Sequence, residues 1–516
     1  MQSTHKRWVI DVTLTPPSLG DNTGDADRLV GHLRKQLDSP NVALDRAVLL
    51  SLPSLLRENH YRVRCVLCKD LGTWEVIALT GQAEDVPMAG LAVDLGTSRV
   101  VLRMVSLEDG QTLAETAFDN PQLSVGADIL TRIHHTDTTG GLAHLQELII
   151  AGLNRHIISL CRHADIGQQQ IFLTAVAGNT AMTHLFLGLN PHWMIREPYI
   201  PAVNRPGLTR APDLGLEIHP RGRVLVFPNI GSYFGGDLIA GILYSDLHRR
   251  EDTAILVDVG TNAEVVLGNQ NWLMACAGAA GPALEGGVTK MGMMAGPGVI
   301  DRIDINPETR LFQIHTIDDQ EPIGICGSGL IDLAAQMFLA GMIDMRGRLV
   351  PGQCDGRYKE KDGMGYLVVI PGDQSGSGMD LTIGQADLDS LTRSKAAMFT
   401  ILETITTTVG MTMEDLSAFY VAGTFGSFIR PTSAISIGML PDLEIDRYQP
   451  LGNSSLGGAT LALTSTAAVD EIDTIRERIT YMELNVNQEF MNRFSAAKFF
   501  PHTDPSRFPS VKVWET

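Results

Sequence analysis

The turn Asp-x-Gly-Thr is written twice in this chain. One copy lies in LAVDLGTSRVVLRMVSLEDG, from Leu91, and the other in ILVDVGTNAEVVLGNQNWLM, from Ile255. Each is an apolar strand, the turn, and a second apolar strand, and the copies stand roughly 160 residues apart, about one domain length. Glycine at the second position after Asp allows a tight hairpin that a Cβ would obstruct. The Thr and the residue after it present backbone N–H and hydroxyl donors at the loop tip. One copy reads as an ordinary Asp-Gly hairpin. Two copies predict facing loops that cradle phosphates from both sides, with Asp94 and Asp258 each reaching a Mg²⁺ through water.

Length and charge bound the rest. A chain of 516 residues has room for three domain-sized units. With 44% hydrophobic and 19% charged residues it has enough apolar mass for large cores. The formal net charge of -19 provides no basic field for a polyanion, so nucleic acid is excluded as a partner. A small phosphate held by backbone N–H groups remains allowed, because such a site is local. The start, MQSTHKRWVIDVTLTPPSLGD, has no apolar core of signal-peptide length. The longest uncharged run, LGNSSLGGATLALTSTAAV, is broken by Asn, Ser, Thr and Gly and reads as a turn and packed helix, not a membrane span. Six cysteines in this length are no disulfide framework. The expectation is a cytoplasmic protein without membrane contact.

Patterning predicts three regions: a small α/β domain over 1–88, one half of a duplicated domain over 89–252, and the other half over 253–516. In the first, RWVIDVTLT, RVRCVLC and WEVIAL read as strands, with DLGT a turn and an acidic linker before a helix. From Leu91 onward short β-branched strands (LAVDLG, QIFLTAVAG, RVLVFP, AILVDVG, AFYVAG) alternate with helices of three- and four-residue apolar spacing. The helices are LAHLQELIIAGLNRHIISLCRHA, SGLIDLAAQMFLAGMI and DLDSLTRSKAAMFTILETITTTVG. Buried strands between helices mean an α/β fold.

At these residues the chain resembles the actin-like (ribonuclease H-like) ATPases, the superfamily of sugar kinases, acetate kinase and heat-shock chaperones. The resemblance implies two half-domains closing on one nucleotide, Mg²⁺–ATP. Gly96, Thr97 and Ser98 would form its first phosphate loop, and Gly260, Thr261 and Asn262 its second. FYVAGTFGSFI is similar to the adenosine loop, which assigns Gly423, Thr424 and Gly426 to the base and ribose. A narrower resemblance rests on AVAGNTAMTHLFLGLNP, FPNIGSYFGGDLIAGIL, AGPALEGG, KMGMMAGPGVID, GICGSGLIDLAAQMFLAGMID, SIGMLPD and PLGNSSLGGATLAL, in that order. Together they look like the reductive activators of corrinoid proteins, over essentially the whole chain. That family uses ATP to assist one-electron reduction of cob(II)alamin to cob(I)alamin on a methyl-transferring corrinoid protein. It also implies a homodimer, and nucleotide contacts from Gly327 and Ser328.

Two departures stand out. The family's [2Fe-2S] ferredoxin domain needs a C-x₄-C-x₂-C run, and none is present. Cys65 and Cys68 are three apart on an alternating strand, which directs them to opposite faces and favours incidental thiols over a redox pair. The expectation is therefore no iron–sulfur cluster in this chain and a separate ferredoxin-type electron donor, whether the short form is natural or the domain has been removed. The second departure is in ACAGAAGPALEGG, where Ala277 and Gly278 stand in a stretch that often carries serine near the partner's cobalt. Glu285 in the same loop serves either the ATP site or the structure.

Other polar residues carry two readings each. Asn179 caps a helix or contacts the γ-phosphate. Asp128 in GADIL and Asp237 in GGDLIAG each come within two residues after a glycine at a helix start, where capping or lining the cleft precedes the role of base to a substrate hydroxyl. Lys395 lines the adenosine pocket by resemblance, and otherwise reads as a solvated helical lysine. Met291, Met293 and Met294 read as core, or as an adaptable partner surface. His134 and His135 lack a spaced third ligand, so no transition-metal site is expected. The alternatives to a corrinoid activator are a small-molecule kinase of the same fold and a nucleotide-gated binding or chaperone module.

Overall fold

The computed structural model describes residues 7–84, 86–260, 263–278, 291–423, 429–484 and 488–512, with the backbone alone at 488 and 489. They form two compact units, Met1–Asp246 with Ser454–Arg478, and Leu247–Asn453 with Ile479–Thr516.

The first unit opens with β1 (Val9–Thr13), α1 (Asp25–Gln36), β2 (Val42–Leu44), α2 (Arg46–Glu58), β3 (Arg62–Asp70) and β4 (Thr73–Gly81). Its sheet has the order β1-β3-β4-β2. Alternation in β1 buries Ile10 and Val12 and exposes Asp11 and Thr13. The helices follow a four-residue rhythm: α1 buries Leu29 and Leu33, and α2 buries Val48, Leu52 and Leu56. Each such side chain contributes about 1.5–3 kcal/mol of burial. The turn joining β3 to β4 is Leu71-Gly72, both in the left-handed region, which suits the hairpin twist.

A second sheet follows, built from β5 (Ala89–Leu95), β6 (Arg99–Ser106), β7 (Thr112–Asp119), β8 (Ile171–Gly178), β9 (Leu208–Arg210) and β10 (Arg223–Val226). Its order is β7-β6-β5-β8-β10-β9. The helices α3 (Ile129–His135), α4 (Gly141–Ala164), α5 (Thr180–Leu187) and α6 (Gly236–Tyr244) are interleaved. Every residue of β8 is buried, as expected of a parallel strand covered on both faces. Arg223 on β10, only 6% exposed, binds Asp45 and Glu75 at 2.9 Å each and so ties this sheet to the first.

The chain comes back to this unit near its end. Helix Ser454–Thr464 packs on β5, β8 and α6. A Cβ on Gly458 would lie 2.1 Å from the Ala240 carbonyl oxygen, so the glycine is what lets the two helices touch. Residues 454–478 thus belong to the first compact unit although they come late in the sequence.

The second unit runs through β11 (Ala254–Val259), β12 (Ala263–Gly268), β13 (Leu273–Gly278), β14 (Val299–Ile305), β15 (Phe312–Thr316), β16 (Gly324–Ile325), α7 (Gly327–Leu339), β17 (Tyr358–Lys361), β18 (Met364–Ile370), β19 (Leu381–Gly384), α8 (Gln385–Thr408), β20 (Ala418–Ala422), β21 (Tyr448–Gly452) and β22 (Ile479–Tyr481). The main sheet has the order β21-β20-β11-β12-β13-β22, with two three-stranded sheets, β15-β14-β16 and β17-β18-β19, beside it in sequence. One core joins strands and helices, with Leu330, Met337, Ile401 and Leu402 among its buried members. All three long helices expected from spacing are present as α4, α7 and α8. Among the described residues no helix is long and apolar enough to cross a membrane.

Candidate functional site

In the first unit, β5 and β6 are antiparallel with Leu95 opposite Val100, leaving Gly96, Thr97 and Ser98 as the turn. Asp94, one residue before the strand end, accepts a hydrogen bond from Ser455 Oγ at 2.8 Å. The three turn carbonyls are all fixed from one side. Asn120 Nδ2 donates to Gly96 O at 2.9 Å, Arg132 Nη2 to Thr97 O at 2.7 Å, and the Asn120 backbone N–H to Ser98 O at 2.8 Å. In a trans peptide the C=O of one residue and the N–H of the next point in opposite directions. The N–H groups of Thr97 and Ser98 are therefore aimed away from Asn120 and Arg132, as a phosphate-binding turn requires.

Asn179 joins this turn to the next strand's end. Its Oδ1 accepts from Met182 N–H at 2.9 Å and caps α5. Its Nδ2 donates to Thr97 Oγ1 at 3.0 Å. Capping thus holds for Asn179, and the same side chain also orients the turn's hydroxyl. Asp128 is a cap as well, accepting from Thr131 N–H at 2.8 Å. Asp237 lies in the first turn of α6 and accepts from its own neighbour Leu238 N–H at 2.9 Å.

The second unit repeats the backbone plan. Asp258 on β11 pairs in register with Ala422 of the parallel strand β20 and with Glu264 of the antiparallel strand β12. Gly423 follows with φ +83°, and a Cβ there would lie 3.0 Å from Asp258 Oδ1 and 3.2 Å from Val259 O. A side chain at 423 would crowd the carboxylate and strain the backbone. Gly260 is exposed after the strand. Thr261, Asn262, Glu285, Thr424 and Gly426 lie outside the described residues. Past them, Arg430 anchors the chain: it donates to Asp304 Oδ1 and Ile303 O, and pairs with Asp332, at 2.7 Å each. Burial pushes the Asp332 carboxyl up, against the lowering effect of Arg430.

The remaining expected residues divide. Gly327 and Ser328 open α7, where the Ser328 hydroxyl is 3.1 Å from Cys326 Sγ and buried. Lys395 is not solvated: it is fully buried on α8 and donates to the carbonyls of Phe499 and Pro501. The reason is that α8 is packed on most of its circumference, so no solvent face exists at 395. Burial pushes its pKa well below the usual lysine range. With its donors on main-chain carbonyls, Lys395 drops out of the nucleotide set. Cys65 and Cys68 are both buried, in a run of four consecutive buried residues on β3. Burial raises both thiols, which disfavours the reactive thiolate. Met291 is in the core, while Met294 is 52% exposed. Among the described residues no three His, Cys, Asp or Glu side chains gather as metal ligands.

Sequence reasoning missed Asn120, Arg132 and Ser455. Asn120 had a signal, an Asn-Pro step closing a strand, which marks a cap. Ser455 stood inside PLGNSSLGGATLAL without a role. Arg132 had none, because the acceptor that ties it to the turn, Thr97 O, is 35 positions away.

A strand-turn-strand device presented once in each unit, with a parallel strand ending in Ala-Gly beside it, defines an actin-like ATPase fold. Comparison with known families agrees: the C-terminal domain of RACo, its ASKHA (actin-like) domain, matches residues 252–512. The RACo middle region matches 89–250 and the RACo linker region 6–85. The chain belongs to the RACo family, the reductive activators of corrinoid proteins. A solved structure of a reductive activator for corrinoid, iron-sulfur protein superposes with a TM-score of 0.87 at 35% identity, covering 99% of this chain and 82% of that one. Corrinoid activation enzyme RamQ from Eubacterium limosum is 29% identical over 93% of this chain and 80% of its own length. The [Co(II) methylated amine-specific corrinoid protein] reductase of Methanosarcina barkeri is 25% identical over 78% of this chain and 76% of its own.

Proposed function

We propose that this chain is an ATP-dependent activator of a corrinoid methyl-transfer protein. It assists the one-electron reduction of cob(II)alamin on that partner to cob(I)alamin. The reading rests on family membership over nearly the whole chain, and the Asp94 turn carries its ATP component. Mg²⁺–ATP fits the donors present: N–H groups turned outward at 97 and 98, a carboxylate at each strand end, and a glycine at 423 where a Cβ would crowd Asp258. Asp94 and Asp258 would hold Mg²⁺ through water. Asn179 would orient Thr97 toward the phosphates, and Gly423 would leave room for adenosine.

The electron would come from a low-potential ferredoxin-type donor, a reading supported by the lack of a C-x₄-C-x₂-C run among the six cysteines of the sequence. Losing its axial ligand makes cob(II)alamin easier to reduce. A chain that binds the ligand-free form better shifts that equilibrium by its differential affinity. ATP turnover then governs how long the complex persists. We further propose that the working form is a homodimer, and that residues 1–88, 89–252 and 253–516 are its linker domain and two ATPase halves.

The test is anaerobic. Chain, Mg–ATP, a low-potential reductant and a cob(II)alamin-loaded partner are expected to yield cob(I)alamin, read by absorbance. Omitting either reductant or chain is expected to yield none. Equal reduction without the chain would overturn the activator reading.

A further inference from the structure

Arg132 is fully buried, yet no carboxylate lies within ion-pair distance of it among the described residues. Its guanidinium is satisfied by neutral acceptors: Nε donates to Gly126 O at 2.9 Å, Nη1 to Gln122 Oε1 at 3.3 Å, and Nη2 to Thr97 O at 2.7 Å. Met182 Sδ stands 3.4 Å from Nη1. Asp128, the nearest acid on its own helix, turns to the Thr131 N–H and hydroxyl at 2.8 Å each instead. Burial lowers the guanidinium pKa to about 10 against a smaller raising effect of the nearby Asp128 charge, which leaves it charged at neutral pH without a directly paired counter-ion. A buried charge without a counter-ion is ordinarily disfavoured, because desolvation is not repaid.

The position of this charge explains why it is kept. It grips the one peptide whose C=O is Thr97 and whose N–H belongs to Ser98. Holding the carbonyl inward turns that N–H outward. The cation therefore lies directly behind the turn and the donors lie in front of it. Gln122, itself buried, is locked to Leu145 O at 2.9 Å and keeps the guanidinium plane in place.

We infer that Arg132 is a positioning residue for the nucleotide's phosphates, fixing the Thr97–Ser98 peptide and supplying an internal positive charge that an anion bound at the turn balances. The inference rests on the ATP reading of the Asp94 turn and extends it to a residue that does not touch the ligand. It separates the phosphate part of the ligand from the base. Loss of Arg132 weakens the triphosphate and spares adenosine, whereas a residue that only supports the fold weakens both alike.

The experiment compares the parent chain with Arg132→Met and Arg132→Lys by calorimetry, using Mg–ATP and adenosine in turn. Arg132→Met is expected to weaken Mg–ATP on the order of tenfold or more with adenosine unchanged. Arg132→Lys, which retains charge but loses the fork, is expected to fall between parent and Met. Should the Met variant not fold, Lys decides alone: a loss confined to Mg–ATP supports the assignment. Parallel loss of both ligands, or no loss of either, in a folded variant overturns it. A parent chain that binds no Mg–ATP would instead overturn the ATP reading itself.

Discussion

The strands that carry Asp94 and Asp258 share one pairing plan, and the described side chains beside them differ. Each Asp is on a strand with an antiparallel partner on one side and a parallel one on the other. Opposite each Asp stands an alanine, Ala177 or Ala422, and a glycine follows it. A Cβ on Gly178 would lie 2.8 Å from Leu95 O, and one on Gly423 3.2 Å from Val259 O, so each glycine faces the carbonyl after its Asp. The described residues around the two strand ends differ. Asn120, Arg132, Asn179 and Ser455 gather on the first turn, while at the second a left-handed Gly423 meets the carboxylate. The strand pairing is thus the same at both Asp residues, and the four side chains named are the supports described at the first.

The buried cations sharpen the same contrast. Arg132 in the first unit donates to the phosphate turn, and Lys395 in the second to the chain at Phe499 and Pro501. On the inference above, the first serves the nucleotide site and the second the fold.

The largest effect is expected at the acids. Asp94→Ala and Asp258→Ala should each lower ATP turnover by roughly a hundredfold or more, as loss of metal and phosphate organisation does, with circular dichroism unchanged. Parental turnover in either would remove that turn from the shared plan.

Asn120→Ala comes next. It leaves the Gly96 carbonyl without its side-chain donor, and loss of a buried hydrogen bond costs about 1–3 kcal/mol. Denaturant melts should show that loss, and Mg–ATP affinity should fall with it. Lys395→Met is its counterpart: a similar loss of stability with Mg–ATP affinity unchanged. A matching loss of affinity would return Lys395 to the nucleotide set.

The parts of this molecule legible in sequence were those written in short contiguous patterns. The strands around both turns, the four-residue rhythm of α4 and the capping role of Asn179 all follow from local spacing. What stayed hidden depends on distant segments meeting. Ser455 reaches Asp94 from 361 positions away, and helix Ser454–Thr464 leaves no trace of its return in its own composition. Lys395 looked solvated because its neighbours in sequence are small, yet what buries it is the segment near residue 500.

A smaller effect is expected from acid. Burial holds His184, His219 and His502 below the ordinary value of 6.5, His219 at about 4. The unfolded chain then takes up protons before the folded one. Their contribution is complete above about pH 6.5 and is lost as pH falls through the folded values. Melting temperature should therefore decline below pH 6.5, and His219→Gln should flatten that decline. An unchanged slope would show that His219 is not held neutral.

The proposed function requires that the two turns, one in each unit, serve a single nucleotide. Calorimetric titration of the parent chain with Mg–ATP should give one site per chain, and Asp94→Ala or Asp258→Ala alone should abolish it. Two sites per chain, each lost with its own Asp while the other keeps its affinity, would contradict the account.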